Sequence, residues 1–173
     1  DGIDIAQIDP ADLRKGISYV PQDIHLFGGT IKQNILGIHK FIDDEWMLEC
    51  SKMSGTDEFV RMHPAGYDMP LGERGAGLSG GQRQSVGISR ALINNSDIWM
   101  FDEPTNAMDQ MSESIVLNNL MSKIEGKTLL LVTQKMSMVD LVDRIIVMNF
   151  GTKVLDGPKD EIINKLGNSG EKQ

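Results

Sequence analysis

In Ile98-Trp99-Met100-Phe101-Asp102-Glu103-Pro104-Thr105 a short, unbroken apolar run, Ile98 to Phe101, leads into two acids. The pattern predicts a buried strand of a parallel sheet, Ile98 to Phe101, whose carboxyl end delivers charged side chains to a crevice. Successive side chains on a strand point to opposite faces, so Asp102 and Glu103 are free to hold different roles. Asp102 can hold a Mg²⁺ through its water shell, and Glu103 can orient or deprotonate an attacking water. As an isolated pair, the same acids also suit the solvated end of any strand.

A second element upstream changes that balance. Leu78-Ser79-Gly80-Gly81-Gln82 places a good N-cap, Ser79, before a stretch with few breakers, and a helix is expected from Gly80 to roughly Asn94. A helix start exposes unpaired N–H groups and a partial positive charge, and Gly80 and Gly81 let a phosphate approach the backbone. Alone, a Ser-Gly-Gly could equally be a capped loop with no ligand. An anion-binding helix start followed one helix later by an acid-tipped strand has the parts of half an ATP site.

The background agrees. The chain has 173 residues with 40% apolar content, enough for a buried core. A net charge of -8 speaks against nucleic acid as the main partner, because phosphate contacts need clustered Lys and Arg. Its one cysteine, Cys50, excludes an internal disulfide, suits a reducing compartment, and is expected to be a buried spectator. No apolar run approaches the ~20 residues that cross a bilayer. Eleven methionines, most of them in periodic apolar segments, are expected to fill the core.

Strand candidates alternate with amphipathic helices, which favours an α/β layered fold with a mainly parallel sheet. The strands are Ile17 to Val20, Ile98 to Phe101, Leu129 to Val132 and Arg144 to Met148, the last turning through Asn149-Phe150-Gly151 into Lys153-Val154-Leu155 as a hairpin. Between Thr30 and Gly77 the texture becomes helical, with Asp43 a cap for Glu45 to Met53 and Asp57 a cap for Glu58 to Met62. A further helix is expected from Gln110 to about Ile124, and the polar tail Gly167 to Gln173 is expected to fray.

These motifs, in this order, resemble the nucleotide-binding domain of ABC transporters. Leu78 to Gln82 is similar to the family's signature motif, and Ile98 to Glu103 to its Walker B strand with the catalytic glutamate at Glu103. Asn106-Ala107-Met108-Asp109 resembles the D-loop, with Asp109 as its aspartate, and Tyr19-Val20-Pro21-Gln22-Asp23 resembles the Q-loop. Leu26 to Ile35 and Gly72-Glu73-Arg74-Gly75 are similar to the stretch after the Q-loop and to the X-loop of exporters. The resemblance implies a P-loop NTPase-like three-layer core over residues 1–29 and 78–173, interrupted by a helical subdomain over 30–77.

Two departures stand beside the matches. No phosphate-binding loop of the form G-x-x-x-x-G-K-[ST] is present. Gly126-Lys127-Thr128 offers only the ending: its first glycine would fall on Met121, and a helix leads into a strand there rather than the reverse. In the family Asp1 to Ile5 would lie downstream of that loop, so the sequence reads as an N-terminally truncated fragment, whose sheet would keep an unpaired edge that invites association. Losing two or three charge-assisted hydrogen bonds of ~1.5 to 3 kcal/mol each weakens nucleotide binding by roughly three orders of magnitude or more, so the piece alone is expected to be inactive. The second departure is Gln134, where the family usually has its switch histidine. An amide can donate a hydrogen bond to a γ-phosphate but cannot carry a charge or relay a proton, so slowed or altered hydrolysis is expected unless this branch simply tolerates Gln.

By resemblance, two such domains pair head to tail around two ATP molecules. Ser79, Gly80, Gly81 and Gln82 then serve the partner's nucleotide, while Gln22, Asp102, Glu103 and Gln134 serve their own, with Mg²⁺ reached by Gln22 and Asp102. Gln22 and Glu73 pass closure to transmembrane domains, placing the assembly at the cytoplasmic face of the bacterial inner membrane. Leu141 to Val147 and Asp156 to Glu161 are similar to ATPases of bacterial type I secretion systems, which implies export of a protein or peptide. Two alternatives are a degenerate, regulatory nucleotide-binding domain with slow turnover of its own and a soluble ABC-type ATPase working on DNA or ribosomes.

Overall fold

The computed structural model describes residues 2–39 and 42–170. Its contacts group into two units, Asp1–Val132 and Thr133–Gln173. The first unit runs α1 (Pro10–Lys15), β1 (Ile17–Val20), β2 (Gly29–Thr30), α2 (Ile31–Leu36), α3 (Asp44–Met53), α4 (Thr56–Val60), β3 (Pro70–Leu71), α5 (Gly80–Leu92), β4 (Ile98–Asp102), α6 (Gln110–Met121) and β5 (Thr128–Val132). The fold is α/β, with a parallel sheet in the order β1-β4-β5.

Burial alternates along β4, so Trp99 and Phe101 point into the core while Ile98 stays exposed. Their rings stack with centroids 5.7 Å apart. Val20 pairs with Phe101 and Asp102 with Val132, which aligns the carboxyl ends of all three strands along one edge. Leu130 and Val132 of β5 are 53% and 54% exposed, so β5 is only partly covered, and among the described residues it pairs with β4 alone.

Helix α5 organises the rest of this unit. Gln84 to Ser89, Ala91 and Leu92 are all buried, an almost continuous run that leaves no solvent face beyond the first turn. The helices α2, α3 and α4 and strand β1 each pack against it. Polar groups at these contacts are paired: Ser18 Oγ donates to Ala91 O (2.6 Å), Trp46 Nε1 donates to Ile93 O (3.1 Å), and Ser54, Thr56 and Ser89 share hydroxyl bonds of 2.6 to 3.0 Å.

The helical block 30–77 comprises α2, α3, α4 and β3, and β2, which straddles its start, forms a small antiparallel ladder with β3. The divisions expected at 29/30 and 77/78 run inside the first unit. Asp43 occupies the cap position of α3 without a side-chain cap bond. Asp57 is not a cap but lies inside α4, which starts after the left-handed Gly55 (φ 75°). Its buried carboxylate accepts from Tyr67 Oη at 2.8 Å and pairs with Arg61 Nε at 2.9 Å, which makes it a tether instead. Cys50 is fully buried, and burial pushes its thiol up to about 12.

Two helices are shorter than the spacing suggests. α5 ends at Leu92 because the chain turns through left-handed Asn95 (φ 45°), and α6 ends at Met121 with Gly126 (φ 78°) in the turn before β5. That turn is no phosphate loop. Lys127 Nζ donates to Ser96 O at 2.9 Å and lies 5.5 Å from the Trp99 ring, so its charge serves the corner of the sheet. The methionines also depart from expectation: Met47, Met53, Met108 and Met138 are buried, whereas Met62, Met111, Met121, Met136 and Met148 are about half exposed or more.

The second unit holds β6 (Arg144–Asn149), β7 (Thr152–Pro158) and α7 (Lys159–Gly170). The expected hairpin forms, longer at both ends, and its tip has Phe150 (φ 45°) and Gly151 (φ 74°) both left-handed, the geometry whose twist matches the strands. Asp156 accepts from Arg144 Nε (2.8 Å) and Lys153 Nζ (2.9 Å), and these bonds pull its carboxyl down to about 2. The tail does not fray at Gly167, since α7 continues to Gly170 and seats Ile162 in the core of this unit. Residues 171–173 of that expectation, and Asp1 at the other end, lie outside the described residues.

Candidate functional site

Ser79 begins α5 with a complete capping box. Its hydroxyl accepts from the Gln82 N–H at 3.1 Å, and the Gln82 side-chain oxygen accepts from the Ser79 N–H at 2.9 Å. The N–H groups of Gly80 and Gly81 have no acceptor within the helix, because the first turn never does. No acidic side chain lies in this turn, so the positive end of the helix is not neutralised from within. A cleft of about 220 Å³ opens here, lined by Ser79, Gly81, Gln82, Ser85, Ala107, Asp109 and Ser112 together with residues of α4 and α6.

The two glycines have a task that spacing did not reveal. A Cβ on Gly80 would stand 3.0 Å from Ala107 Cβ, and one on Gly81 would stand 3.1 Å from Ala107 O and 3.4 Å from Met108 Cα. Their bareness lets the first turn of α5 lie against residues 107 and 108, as well as leaving its amides open.

Asp109 lines the same cleft and caps α6. One carboxylate oxygen accepts from the Ser112 N–H and the other from its hydroxyl, both at 2.9 Å, and these bonds lower its pKa. The loop between β4 and α6 is further held by a buried bond from Thr105 Oγ1 to Glu113 Oε2 at 2.9 Å.

Asp102 ends β4, half-buried, and Glu103 leaves the strand. Glu103 has φ 47°, a left-handed backbone that few residues other than glycine adopt. The two acids are therefore separated by a backbone turn and not by simple strand alternation. The Glu103 N–H donates to Val132 O at 2.8 Å, and its carbonyl accepts from Gln84 Nε2 at 3.2 Å. Gln84 is a residue that periodicity missed. A polar side chain on a helix buried nearly all round is the informative signal, but α5 shows no polar face against which it would stand out.

Gln22 lies two residues beyond β1, exposed, and Asp102 at the end of the neighbouring β4, so topology brings both to the carboxyl edge of the sheet. Among the described residues no group of three or more His, Cys, Asp or Glu gathers. One carboxylate with an amide nearby in the topology fits an ion such as Mg²⁺, which keeps most of its waters and takes phosphate oxygens besides. Glu73 sits exposed in a short 3-10 turn, Glu73–Gly75, whose centre Arg74 is left-handed (φ 56°). Gln134 follows β5 and is exposed in the second unit.

Comparison with known proteins bears on this arrangement. A family model described as "ABC transporter" matches residues 1–106. The chain is 40% identical over 163 residues to the leukotoxin translocation ATP-binding protein LktB of Mannheimia haemolytica, covering 94% of this chain and 23% of that protein. The protein of the same name from Bibersteinia trehalosi matches to the same extent. The structure of a bacterial Atm1-family ABC exporter with ATP bound matches at a TM-score of 0.89 and 32% identity, over 95% of this chain and 29% of that chain. The chain thus spans less than a quarter of the length of these curated relatives.

The capping box sets a stability expectation. Ser79→Ala removes one side of it and should lower the unfolding free energy by about 1 kcal/mol, whereas Ser79→Asp should cost no more than a few tenths. Urea titration of the two variants followed by circular dichroism measures the difference.

Proposed function

This chain belongs to the ABC transporter family, and from that premise we propose that it is part of the ATP-binding and ATP-hydrolysing motor of an exporter that moves a protein or peptide. The exposed, acid-free start of α5 and the Asp102-Glu103 tip of β4, both in one unit, carry this reading. The leukotoxin translocation proteins at 40% identity support a type I secretion role, and the exporter structure supports that direction of transport over a soluble ATPase.

Two copies pair head to tail through their nucleotides. Ser79, Gly80, Gly81 and Gln82 present amide donors to the γ-phosphate on the partner, which the positive helix end favours. Gln22 and Asp102 hold Mg²⁺ through water on the subunit's own nucleotide, where the ion offsets charge on the phosphate oxygens. Glu103 orients the attacking water and accepts its proton. Asp109 keeps the loop before α6 in register with the cleft. Gln22 and Glu73 relay closure to the transmembrane domains of the exporter, at the cytoplasmic face of the bacterial inner membrane.

The 173 residues by themselves lack a phosphate loop, so titration calorimetry with MgATP should detect no micromolar binding to this chain. In the full-length protein, Glu103→Gln should hold ATP yet abolish multiple turnover in a single-turnover and steady-state comparison. Unchanged turnover would refute the role of Glu103.

Gln134 supports a second reading, a regulatory domain that completes its partner's site while turning over slowly. Gln134→His in the full-length protein should then raise kcat several-fold at pH 7 and introduce a pH dependence near the imidazole range, at about 6.5. No gain in rate would leave the motor reading alone.

A further inference from the structure

We propose that Gln84 is a positioning residue that links the two half-sites one subunit contributes, the start of α5 and the Glu103 loop. The inference rests on the motor reading above.

Gln84 lies five residues after Ser79 and is 5% exposed. Both ends of its amide are used: Nε2 donates to Glu103 O at 3.2 Å, and Oε1 accepts from the Ala107 N–H at 2.8 Å. The reverse orientation of the amide would set a donor against the Ala107 N–H and an acceptor against the Glu103 carbonyl, so the two bonds fix each other.

On the strand side, the Glu103 N–H is held by Val132 O at 2.8 Å. The peptide units before and after the Glu103 Cα are therefore gripped by β5 and by α5. With φ at 47°, small rotations of those units redirect the Cα–Cβ bond, and with it the carboxylate. Gln84 thus helps to aim Glu103 without touching its side chain.

The second bond holds Ala107, which also packs on Gly80 and Gly81. A shift of the first turn of α5 is passed by one buried side chain both to the 106–109 loop and to Glu103. In a head-to-tail pair the start of α5 serves the partner's ATP, whereas Glu103 serves its own. Gln84 accordingly connects one ATP site to the other within a single subunit.

Steady-state ATPase kinetics of the full-length transporter test the link. Gln84→Met has a similar length and neither bond. It should lower kcat about tenfold, leave the ATP KM within about twofold, and bring the Hill coefficient to about 1. Gln84→Glu still accepts from the Ala107 N–H but cannot donate to Glu103 O when ionised, so it should lower kcat and the Hill coefficient as Gln84→Met does. Lost cooperativity and lower kcat at an unchanged KM is a pattern a merely structural role would not produce, and Gln84→Glu carries the test if Gln84→Met fails to fold. A Gln84→Met kcat within about twofold of the parent, or a KM that rises in step with the fall in kcat, overturns the link. So does retained cooperativity in either variant, or a parent enzyme without cooperativity. Glu103→Gln in the same assay is the control: if it turns over normally, the motor reading fails and the link falls with it.

Discussion

The first turn of α5 lies close against residues 107 and 108, an approach that the missing side chains of Gly80 and Gly81 allow. A methyl group at Gly81 would press within 3.1 Å of the Ala107 backbone oxygen, which would have to give way by a few tenths of an ångström. Closing that gap brings an open helix start, the loop before α6 and the tip of β4 into one packed unit. The 13-residue helix is buried along most of its length, whereas Gly80, Gly81 and Gln82 of its first turn are half-buried.

A helix so enclosed must satisfy its polar groups internally, since each buried donor or acceptor left unpaired costs about 1 to 3 kcal/mol. The hydroxyls of Ser54, Thr56 and Ser89 answer one another on the side of α3 and α4. Arg90 answers the segment before α2: it donates to His25 O, Asn34 O and Asn34 Oδ1 at 2.7 to 2.9 Å, with its guanidinium 5.7 Å from the Phe27 ring. Desolvation lowers the pKa of Arg90. Gln84 does the same toward β4. The polar contacts of α5 therefore reach its neighbours on several sides.

In the proposed reading those ties have a direction. The segment carrying His25 and Asn34 follows Gln22, which faces the membrane domains by resemblance, and Arg90 binds it to the far end of α5. Gln84 binds the near end to the residues that act on ATP. Glu103 is held in an unfavoured backbone conformation by groups on two different elements, β5 and α5, so its placement depends on both being in register. Backbone strain of this kind persists only where the surroundings over-determine it.

Sequence pattern alone was enough for the strands at Ile17, Ile98 and Arg144, for the parallel order of the central sheet as a class, and for Ser79 as a cap, because hydrophobic period and cap chemistry are local. It also exposed Gly126-Lys127-Thr128 as a turn, since the order of helix and strand is written along the chain. What it could not supply was anything decided by neighbours distant in the chain. Asp57 has the residue type of a cap but is a buried tether, because Tyr67 folds back over it. Helices α5 and α6 stop early where Asn95 and Gly126 turn left-handed, a choice that chain reversal imposes. Gln84 is unremarkable as a letter and becomes meaningful only when β4 and the loop after it arrive beside α5, since a hydrogen bond spanning 19 or 23 positions is a property of packing and not of spacing.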